Sequence, residues 1–258
     1  MKLTVLGRHG PFPAPGGACS GYLIEAGDTK LCVDLGSGTL GNLRNILPGL
    51  KLDGILLSHL HSDHMSDMLV LRYALTQLSA KGTEIELPMT VVAPETPEVE
   101  FRQLASSGVF EMVHAKAGLK LRFGEVTVTL YSSAHPVETY AFDIEHKGKR
   151  IFYTGDTGMY TELVRQCMGA DILLADACFL DGEKPGENAP HLTAGEAGKV
   201  AKEAGVGQLI CTHIWGGRDM AGEILTEARR QFPNTLVAEE MHEYFVQGYH
   251  QLTRAHKP

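Results

Sequence analysis

The sequence predicts an α/β protein in which short buried strands alternate with amphipathic helices. Apolar runs such as residues 55–57 and 126–131 are short and end at polar residues, which is typical of buried strands. Between residues 66 and 80, apolar side chains instead recur every three or four positions, which is typical of a helix packed on a core. With 258 residues, 43% of them hydrophobic, the chain can bury a substantial core. No repeat or low-complexity tract divides it, so we expect residues 1–258 to form a single domain.

The first half of the chain is predicted to contain five strands, three helices and one irregular loop. The strands are residues 3–6, 22–25, 30–34, 55–57 and 88–93, and the helices are residues 40–47, 66–80 and 98–107. Residues 10–17 are rich in Gly and Pro, which predicts a surface loop without regular structure. Such a loop could also border a functional site, because binding residues often lie on loops.

The second half is predicted to contain two hairpins, two further strands and two helices. The hairpins are residues 119–131, turning at 123–125, and residues 140–153; a strand at 208–211, a helix at 219–231, a closing strand at 244–246 and a loose tail at 253–258 follow. Thr193 and Glu196 have the spacing of a capping box, which predicts that a helix begins directly after Thr193. The apolar positions of that helix include Ala197, Val200 and Ala201.

Composition narrows the possible partners. The formal net charge of −8 argues against a protein that binds long nucleic acid through a broad basic face. Five cysteines without CxxC spacing suit reduced thiols in a cytosolic protein. No stretch is typical of a signal peptide or long enough to span a membrane. We therefore expect a cytoplasmic enzyme with no membrane partner.

A dense cluster of metal-binding side chains follows the strand at residues 55–57. Residues 58–64 read Ser-His-Leu-His-Ser-Asp-His, and imidazole and carboxylate groups are the ligands that zinc and its neighbours prefer. His59 and His61 are two apart, so their rings point the same way on an extended backbone. Asp63 and His64 are adjacent and leave the backbone in different directions. This geometry suits two neighbouring metals, one held by each pair.

Three further polar residues each follow a predicted strand. His135 follows the strand within residues 126–131, Asp156 follows residues 150–153, and His213 follows residues 208–211. Taken singly, a His or Asp after a strand is more often an ordinary loop residue than a ligand. Their common placement at strand ends makes the three of them candidate ligands together.

The His-x-His-x-Asp-His pattern and the order of the later residues resemble the metallo-β-lactamase superfamily. The resemblance implies a four-layer αββα sandwich of two mixed β-sheets flanked by helices, with metals at one edge. It also implies that one metal is bound by His59, His61 and His135, the other by Asp63, His64 and His213, and that Asp156 bridges them. Asp34, in the segment Asp-Leu-Gly-Ser-Gly, resembles a carboxylate that supports the ligands without binding metal itself. The ligand set admits zinc, manganese or iron, of which we expect zinc.

The segment around His191 resembles the ribonuclease Z and phosphodiesterase branch of this superfamily. An imidazole precedes Thr193 at a helix start, where free N–H groups and the helix dipole favour a phosphate. In that branch a His oriented by an upstream Glu stabilises or protonates the scissile phosphate; here Asp176 takes the position of the Glu. The long tRNA-gripping arm of tRNA-processing members has no room here, because only 20 residues separate His135 from Asp156.

The resemblance and the chemistry imply a metal-dependent hydrolase, most simply a phosphodiesterase. A hydroxide bridging the two metals would attack a cyclic nucleotide, a short RNA end or another small phosphodiester, with Asp63 orienting the water and His191 facing the developing charge. A lactone, ester or thioester hydrolase is the alternative, because the same metals polarise a carbonyl. A non-catalytic scaffold that keeps the metal site is a third interpretation, against which the complete ligand set argues. By resemblance alone, we also expect a homodimer.

Overall fold

The computed structural model describes residues 1–106 and 108–246, and the expected loose tail at 253–258 lies outside them. The elements up to residue 114 are strands β1 (Lys2–Gly7), β2 (His9–Gly10), β3 (Gly21–Ala26) and β4 (Thr29–Leu35), helix α1 (Thr39–Ile46), β5 (Gly54–Leu56), helices α2 (Ser62–Met65) and α3 (Met68–Ala80), β6 (Met89–Ala93), α4 (Glu98–Ala105) and β7 (Phe110–His114).

The remaining elements follow from residue 120. They are β8 (Lys120–Phe123), β9 (Val126–Ser132), β10 (Tyr140–His146), β11 (Lys149–Tyr153), α5 (Leu163–Cys167), β12 (Ile172–Asp176), a 3₁₀ turn (Asp181–Glu183), α6 (Ala194–Ala204), β13 (Gln208–Thr212), β14 (Ile214–Trp215), α7 (Ala221–Gln231), β15 (Thr235–Val237) and β16 (Glu243–Phe245). Of the described segments, none forms a helix long and apolar enough to cross a membrane.

Two seven-stranded mixed sheets form the centre of the molecule. Their strand orders are β16-β1-β3-β4-β5-β6-β7 and β15-β13-β12-β11-β10-β9-β8. Side chains from both sheets, among them Leu3, Tyr22, Phe142 and Leu174, pack into one buried cluster between them. A second cluster lies beneath α5, α6 and α7, and a third beneath α1, α3 and α4. This is the expected four-layer αββα arrangement.

Strand direction brings several chain segments to one edge of the second sheet. Strands β11, β12 and β13 run parallel to one another, and β9 runs in the same direction because β10 is antiparallel to both β9 and β11. Their carboxyl ends therefore lie along one edge. The residues that follow these ends, His135, Asp156 and His213, belong to that edge, as does Asp176, which ends β12.

Most of the elements expected in the described segments are present, with three differences. The helix expected at 66–80 is divided, because α2 starts within the histidine motif and α3 begins only at Met68. Strands β7, β12, β14 and β15 and helix α5 were not expected. The segment 10–17 was expected to lack regular structure, but Gly10 lies in β2, which pairs in parallel with β14. Only a residue without a side chain fits there, because a Cβ on Gly10 would lie 1.9 Å from His213 Nε2.

Candidate metal centre

The histidine motif passes from the end of β5 into helix α2. His59 follows the buried strand end and is fully buried. His61 precedes the first residue of α2 with an extended backbone, while Asp63 and His64 lie within its single turn. This change of backbone conformation separates the motif into two pairs. The rings of His59 and His61 meet with centroids 4.7 Å apart.

The first group of potential ligands contains His59, His61, His135 and Asp156. Each offers one ligand atom, and these four atoms lie within 4.8 Å of one another. The ring centroid of His135 is 5.0 Å from that of His59 and 5.1 Å from that of His61. His59 Nε2 lies 3.6 Å from the carboxylate of Asp156. The strand-end residues of both sheets therefore converge on one point.

The second group contains Asp63, His64, His213 and again Asp156, with one ligand atom of each within the same 4.8 Å. His213 Nε2 lies 3.2 Å from Asp63 Oδ2 and 3.2 Å from Asp156 Oδ2. His64 Nε2 lies 3.2 Å from Asp156 Oδ1. Asp156 thus uses both oxygens and stands between the two groups, which is the position expected of a bridging carboxylate.

The buried atoms of these groups fit metal ions. His59 Nε2, His64 Nε2 and Asp156 Oδ1 are buried and lack a hydrogen-bond partner. A buried polar atom without a partner costs about 1–3 kcal/mol, so such atoms are rarely left unpaired in a stable fold. A divalent cation between the imidazole and carboxylate groups would satisfy all three atoms and suits this N/O ligand chemistry.

Electrostatics favours a cation at the same place. Burial lowers the pKa of His59, and it lowers that of His135 to about 4, so both imidazoles are neutral and able to act as ligands near pH 7. For His64, burial alone would lower the pKa, but the carboxylates of Asp156, Asp63 and Asp34 outweigh it and raise the pKa well above its usual range. Three carboxylates around one imidazole create a negative potential that a metal ion can neutralise in place of the proton.

Asp34 supports the second group through hydrogen bonds at the end of β4. Its carboxylate lies 2.8 Å from His64 Nδ1 and accepts bonds from Ser58 N, Ser58 Oγ and the Tyr153 hydroxyl at 2.7, 2.8 and 2.7 Å. The backbone of Asp34 has a positive φ of 52°, a conformation that few residues other than Gly adopt. With Nδ1 held by Asp34, Nε2 of His64 is left to face Asp156. The sequence motif suggested Asp34, whereas no signal pointed to Tyr153.

His191 and Asp176 form a hydrogen-bonded pair beside these groups. His191 Nδ1 lies 2.8 Å from Asp176 Oδ2, and Asp176 is fully buried. The same carboxylate accepts the backbone N–H groups of Thr157 and Cys178, each at 3.1 Å. Burial lowers the pKa of His191, but Asp176 and Asp156 outweigh it and raise the pKa to about 9. In the absence of bound metal, the two carboxylates therefore favour a protonated imidazole near neutral pH.

His191 packs against two of the proposed ligand histidines. Its ring lies nearly parallel to that of His213, with centroids 4.9 Å apart, and 5.6 Å from that of His135. One ligand atom each of Asp156, Asp176, His191 and His213 also falls within 4.8 Å of the others. All nine side chains named as site residues from the sequence, Asp176 included, thus lie in one cluster.

Besides Tyr153, two further supporting residues could not be recognised from the sequence. Thr139 Oγ1 lies 3.1 Å from His135 Nδ1, four positions along the chain, which orients that ring. Gly10 lies against the ring of His213, as described above. A hydroxyl four positions from a His is a weak signal, and a Gly in a Gly/Pro-rich stretch gives none.

Comparison with known proteins identifies the family of the chain. Residues 16–214 match the family described as the Beta-lactamase superfamily domain. The chain is 34% identical to the probable metallo-hydrolase YhfI of Bacillus subtilis over 214 residues, covering 83% of this chain and 87% of that protein. The crystal structure of the metallo-beta-lactamase fold protein YhfI superposes with a TM-score of 0.86, at 31% identity, covering 95% of this chain and 99% of the other. A ribonuclease Z of Methanosarcina mazei is 24% identical over 305 residues, covering 95% and 98%.

The fold and the cluster of His and Asp residues define a metal-dependent hydrolase of the metallo-β-lactamase fold that binds divalent metal. The chain belongs to the beta-lactamase superfamily and is similar to its ribonuclease Z members. Between His135 and Asp156 it carries only the β10–β11 hairpin, so the long arm is missing, as the spacing predicted.

Proposed function

We propose that this protein is a phosphodiesterase that hydrolyses small phosphodiesters, such as cyclic nucleotides, short RNA ends or aryl phosphodiesters. The observation that carries the proposal is the His191–Asp176 pair, joined at 2.8 Å directly beside the two ligand groups. A protonated imidazole in this position can donate a hydrogen bond to a phosphate oxygen. Hydrolysis at a carbonyl does not need a protonated imidazole in addition to the metals.

In this proposal the chain would hold two divalent metals, zinc in the first instance. His59, His61 and His135 would hold one, Asp63, His64 and His213 would hold the other, and Asp156 is shared by both groups. When bound, such metals supply positive charge to phosphate oxygens and lower the pKa of a water. Because the ligands come from both sheets, we also propose that residues 1–258 act as one domain.

Asp63 is proposed to orient the attacking water and accept its proton. It is 8% exposed, compared with 2% for Asp156, so it is the carboxylate of the second group that more readily meets solvent. The imidazoles of His64 and His213 outweigh the effect of burial and hold the pKa of Asp63 below its usual range. Asp63 is therefore ionised and able to accept a hydrogen bond from water.

His191 is proposed to donate a proton or a hydrogen bond to the phosphate or to the leaving oxygen. Its Nδ1 is engaged by Asp176, so Nε2 is the nitrogen left for a substrate. The side chain is 14% exposed, enough for contact with a bound molecule. Asp176 acts as a positioning residue, because the Thr157 and Cys178 amides fix its carboxylate and that carboxylate fixes the ring.

The proposal is tested by comparing substrates on the zinc-loaded protein. We expect turnover of bis(p-nitrophenyl) phosphate and of at least one cyclic or oligonucleotide phosphodiester, and little turnover of a simple lactone or thioester. Efficient hydrolysis of the lactone or thioester with no phosphodiester turnover would overturn the proposal and favour a carbonyl substrate.

A further inference from the structure

Two exposed aromatic side chains form a small surface beside the candidate metal centre. Phe12 is 42% exposed and Trp215, the single Trp of the chain, is 39% exposed. Their rings meet edge to face with centroids 4.9 Å apart and an interplanar angle of 71°. We call this pair the aromatic platform. Aromatic rings left exposed together are a recurrent mark of a binding site.

The aromatic platform is joined to the metal centre through Gly10. Gly10 is the parallel-strand partner of Trp215 in the β2–β14 pair, and the amide of Ile214 donates to the carbonyl of Arg8 at 2.8 Å. The His213 ring packs against Gly10, where a Cβ would lie 1.9 Å from His213 Nε2. Because paired strands lie about 4.8 Å apart, the backbone of Trp215 lies at about that distance from Gly10, which contacts the proposed metal ligand His213.

Backbone contacts build the aromatic platform in advance of any ligand. A Cβ on Gly216 would lie 2.1 Å from the Phe12 carbonyl oxygen, so the two loops approach more closely than a side chain would allow. A Cβ on Gly217 would lie 2.2 Å from Trp215 Nε1, so the indole rests directly on the following backbone. A surface held in this way loses little conformational freedom when a ring stacks on it.

The charges near the aromatic platform fit a single small ligand better than a polynucleotide. Arg218, three residues beyond Trp215, is paired with Glu183 at 2.9 Å and with Glu223. The charge of Arg218, which could otherwise pair with the phosphates of a polynucleotide, is thus neutralised. The chain as a whole has a net charge of −8. Arg218 is therefore not free to pair with a phosphate backbone, whereas the two aromatic rings remain exposed.

We propose that the aromatic platform binds the nucleobase of a nucleoside phosphodiester whose phosphate lies at the metal centre. This inference rests on the proposed phosphodiesterase function and names its substrate class. A purine or pyrimidine has the flat ring that stacks on Trp, and the nucleoside sugar spans the gap between a stacked base and its phosphate. Trp215 is then a residue that sets specificity for the group attached to the phosphate.

The test compares two substrates that release the same product. Thymidine 5′-(p-nitrophenyl phosphate) carries a base and methyl p-nitrophenyl phosphate carries none. We expect the ratio of their kcat/KM values to fall about tenfold in Trp215→Ala, the loss typical of one base stack, and to be largely retained in Trp215→Phe. Tyr73→Ala, which removes a 66% exposed aromatic side chain from α3, should leave the ratio unchanged. An unchanged ratio in Trp215→Ala overturns the proposal.

A binding measurement separates failure of this inference from failure of the proposed function. The fluorescence of the single Trp reports directly on Trp215, and we expect thymidine 5′-monophosphate to quench it and ribose 5-phosphate to have no effect. If neither phosphodiester is hydrolysed, the proposed function fails. The fluorescence titration alone then decides whether the aromatic platform binds a nucleobase. Quenching that requires the base supports the aromatic platform, and absence of quenching overturns it.

Discussion

The geometry of the candidate centre depends on single residues outside the two proposed ligand groups. Asp34 holds His64 Nδ1 and is in turn fixed by Ser58 and Tyr153. Asp176 does the same for His191 Nδ1. In both cases a buried carboxylate determines which imidazole nitrogen faces the site. The orientation of these imidazoles is therefore fixed by residues that are hydrogen-bonded to them.

The first prediction concerns Asp34. Asp34→Asn keeps the size of the side chain but removes a charge that favours a cation beside His64, and it offers an amide where two hydroxyl donors point. We expect zinc affinity to fall about 10- to 100-fold, as measured by competition with a chelator. Asp28→Asn, in the exposed turn between β3 and β4, is the matched control and should bind zinc as the wild type does. Unchanged affinity in Asp34→Asn would contradict this role.

At the scale of elements, the two-residue strands β2 and β14 position a backbone segment against the proposed metal ligand His213. Their pairing connects residues more than 200 positions apart and sets Gly10 against His213. No pattern in residues 10–17 could reveal this, because the partner strand is distant and neither strand is long enough to show alternation. Position 10 is therefore sensitive to substitution although it lies far from the histidine motif in sequence.

The second prediction follows from this contact. In Gly10→Ala the new methyl group would overlap His213 Nε2, so the ring must move and the second ligand group loses a member. We expect metal content to fall from about two ions per chain to about one, measured by atomic emission after dialysis. Gly41→Ala, in helix α1, is the control, because a Cβ there meets nothing within 4 Å. Equal metal content in the two variants would show that His213 tolerates the change.

A third prediction concerns the packing of α7 on the turn that precedes α6. Burial and the neighbouring Asp181 raise the pKa of Glu227 to about 7, and Glu227 Oε1 accepts the Asp181 amide at 2.7 Å. A carboxyl whose folded pKa is raised stabilises the fold below its unfolded pKa, and this contribution is lost as pH rises through 7. Glu227→Gln removes the titration and keeps an oxygen acceptor for the amide.

The difference in Tm between Glu227→Gln and wild type should therefore grow in favour of the variant from pH 6 to pH 8. Glu203→Gln, at an exposed position on α6, is the control and should show a smaller dependence on pH. Thermal unfolding at several pH values measures both. A difference in Tm that stays constant with pH would argue against the raised pKa.

On the scale of the whole molecule, the centre joins the two halves of the sandwich. The histidine motif follows β5 of the first sheet, whereas His135, Asp156 and His213 follow strands of the second. Metal bound by these residues would therefore link the sheets, and without it their buried imidazole and carboxylate atoms lack partners. The centre is thus expected to contribute to stability as well as to catalysis.

The fourth prediction follows from this arrangement. Removing metal with a chelator should lower the Tm by roughly 10 °C, the effect expected when a ligand present at about a thousand times its Kd is withdrawn. Adding zinc should restore the Tm, and a chelator already saturated with zinc should have no effect. If the metal-free protein unfolded at the same temperature, the sheets would not depend on the centre.

Much of this molecule could be predicted from local signals. The histidine motif after a short apolar strand and the capping box of Thr193 and Glu196 are encoded within a few residues, and both are present. The layered arrangement came from the resemblance, because strand alternation alone does not determine how two sheets pack. Strand β7 and the Asp34–Tyr153 hydrogen bond depend on contacts between distant segments, which a single sequence does not display.

The most direct test of the account is the turnover of bis(p-nitrophenyl) phosphate by His191→Ala at a measured metal content. Removing a donor to the developing charge typically lowers kcat about 100- to 1,000-fold, and we expect such a loss with metal content unchanged. His114→Ala, which removes a 45% exposed imidazole at the end of β7, serves as the control and should retain full activity. Unchanged kcat in His191→Ala would contradict the proposed phosphodiesterase mechanism.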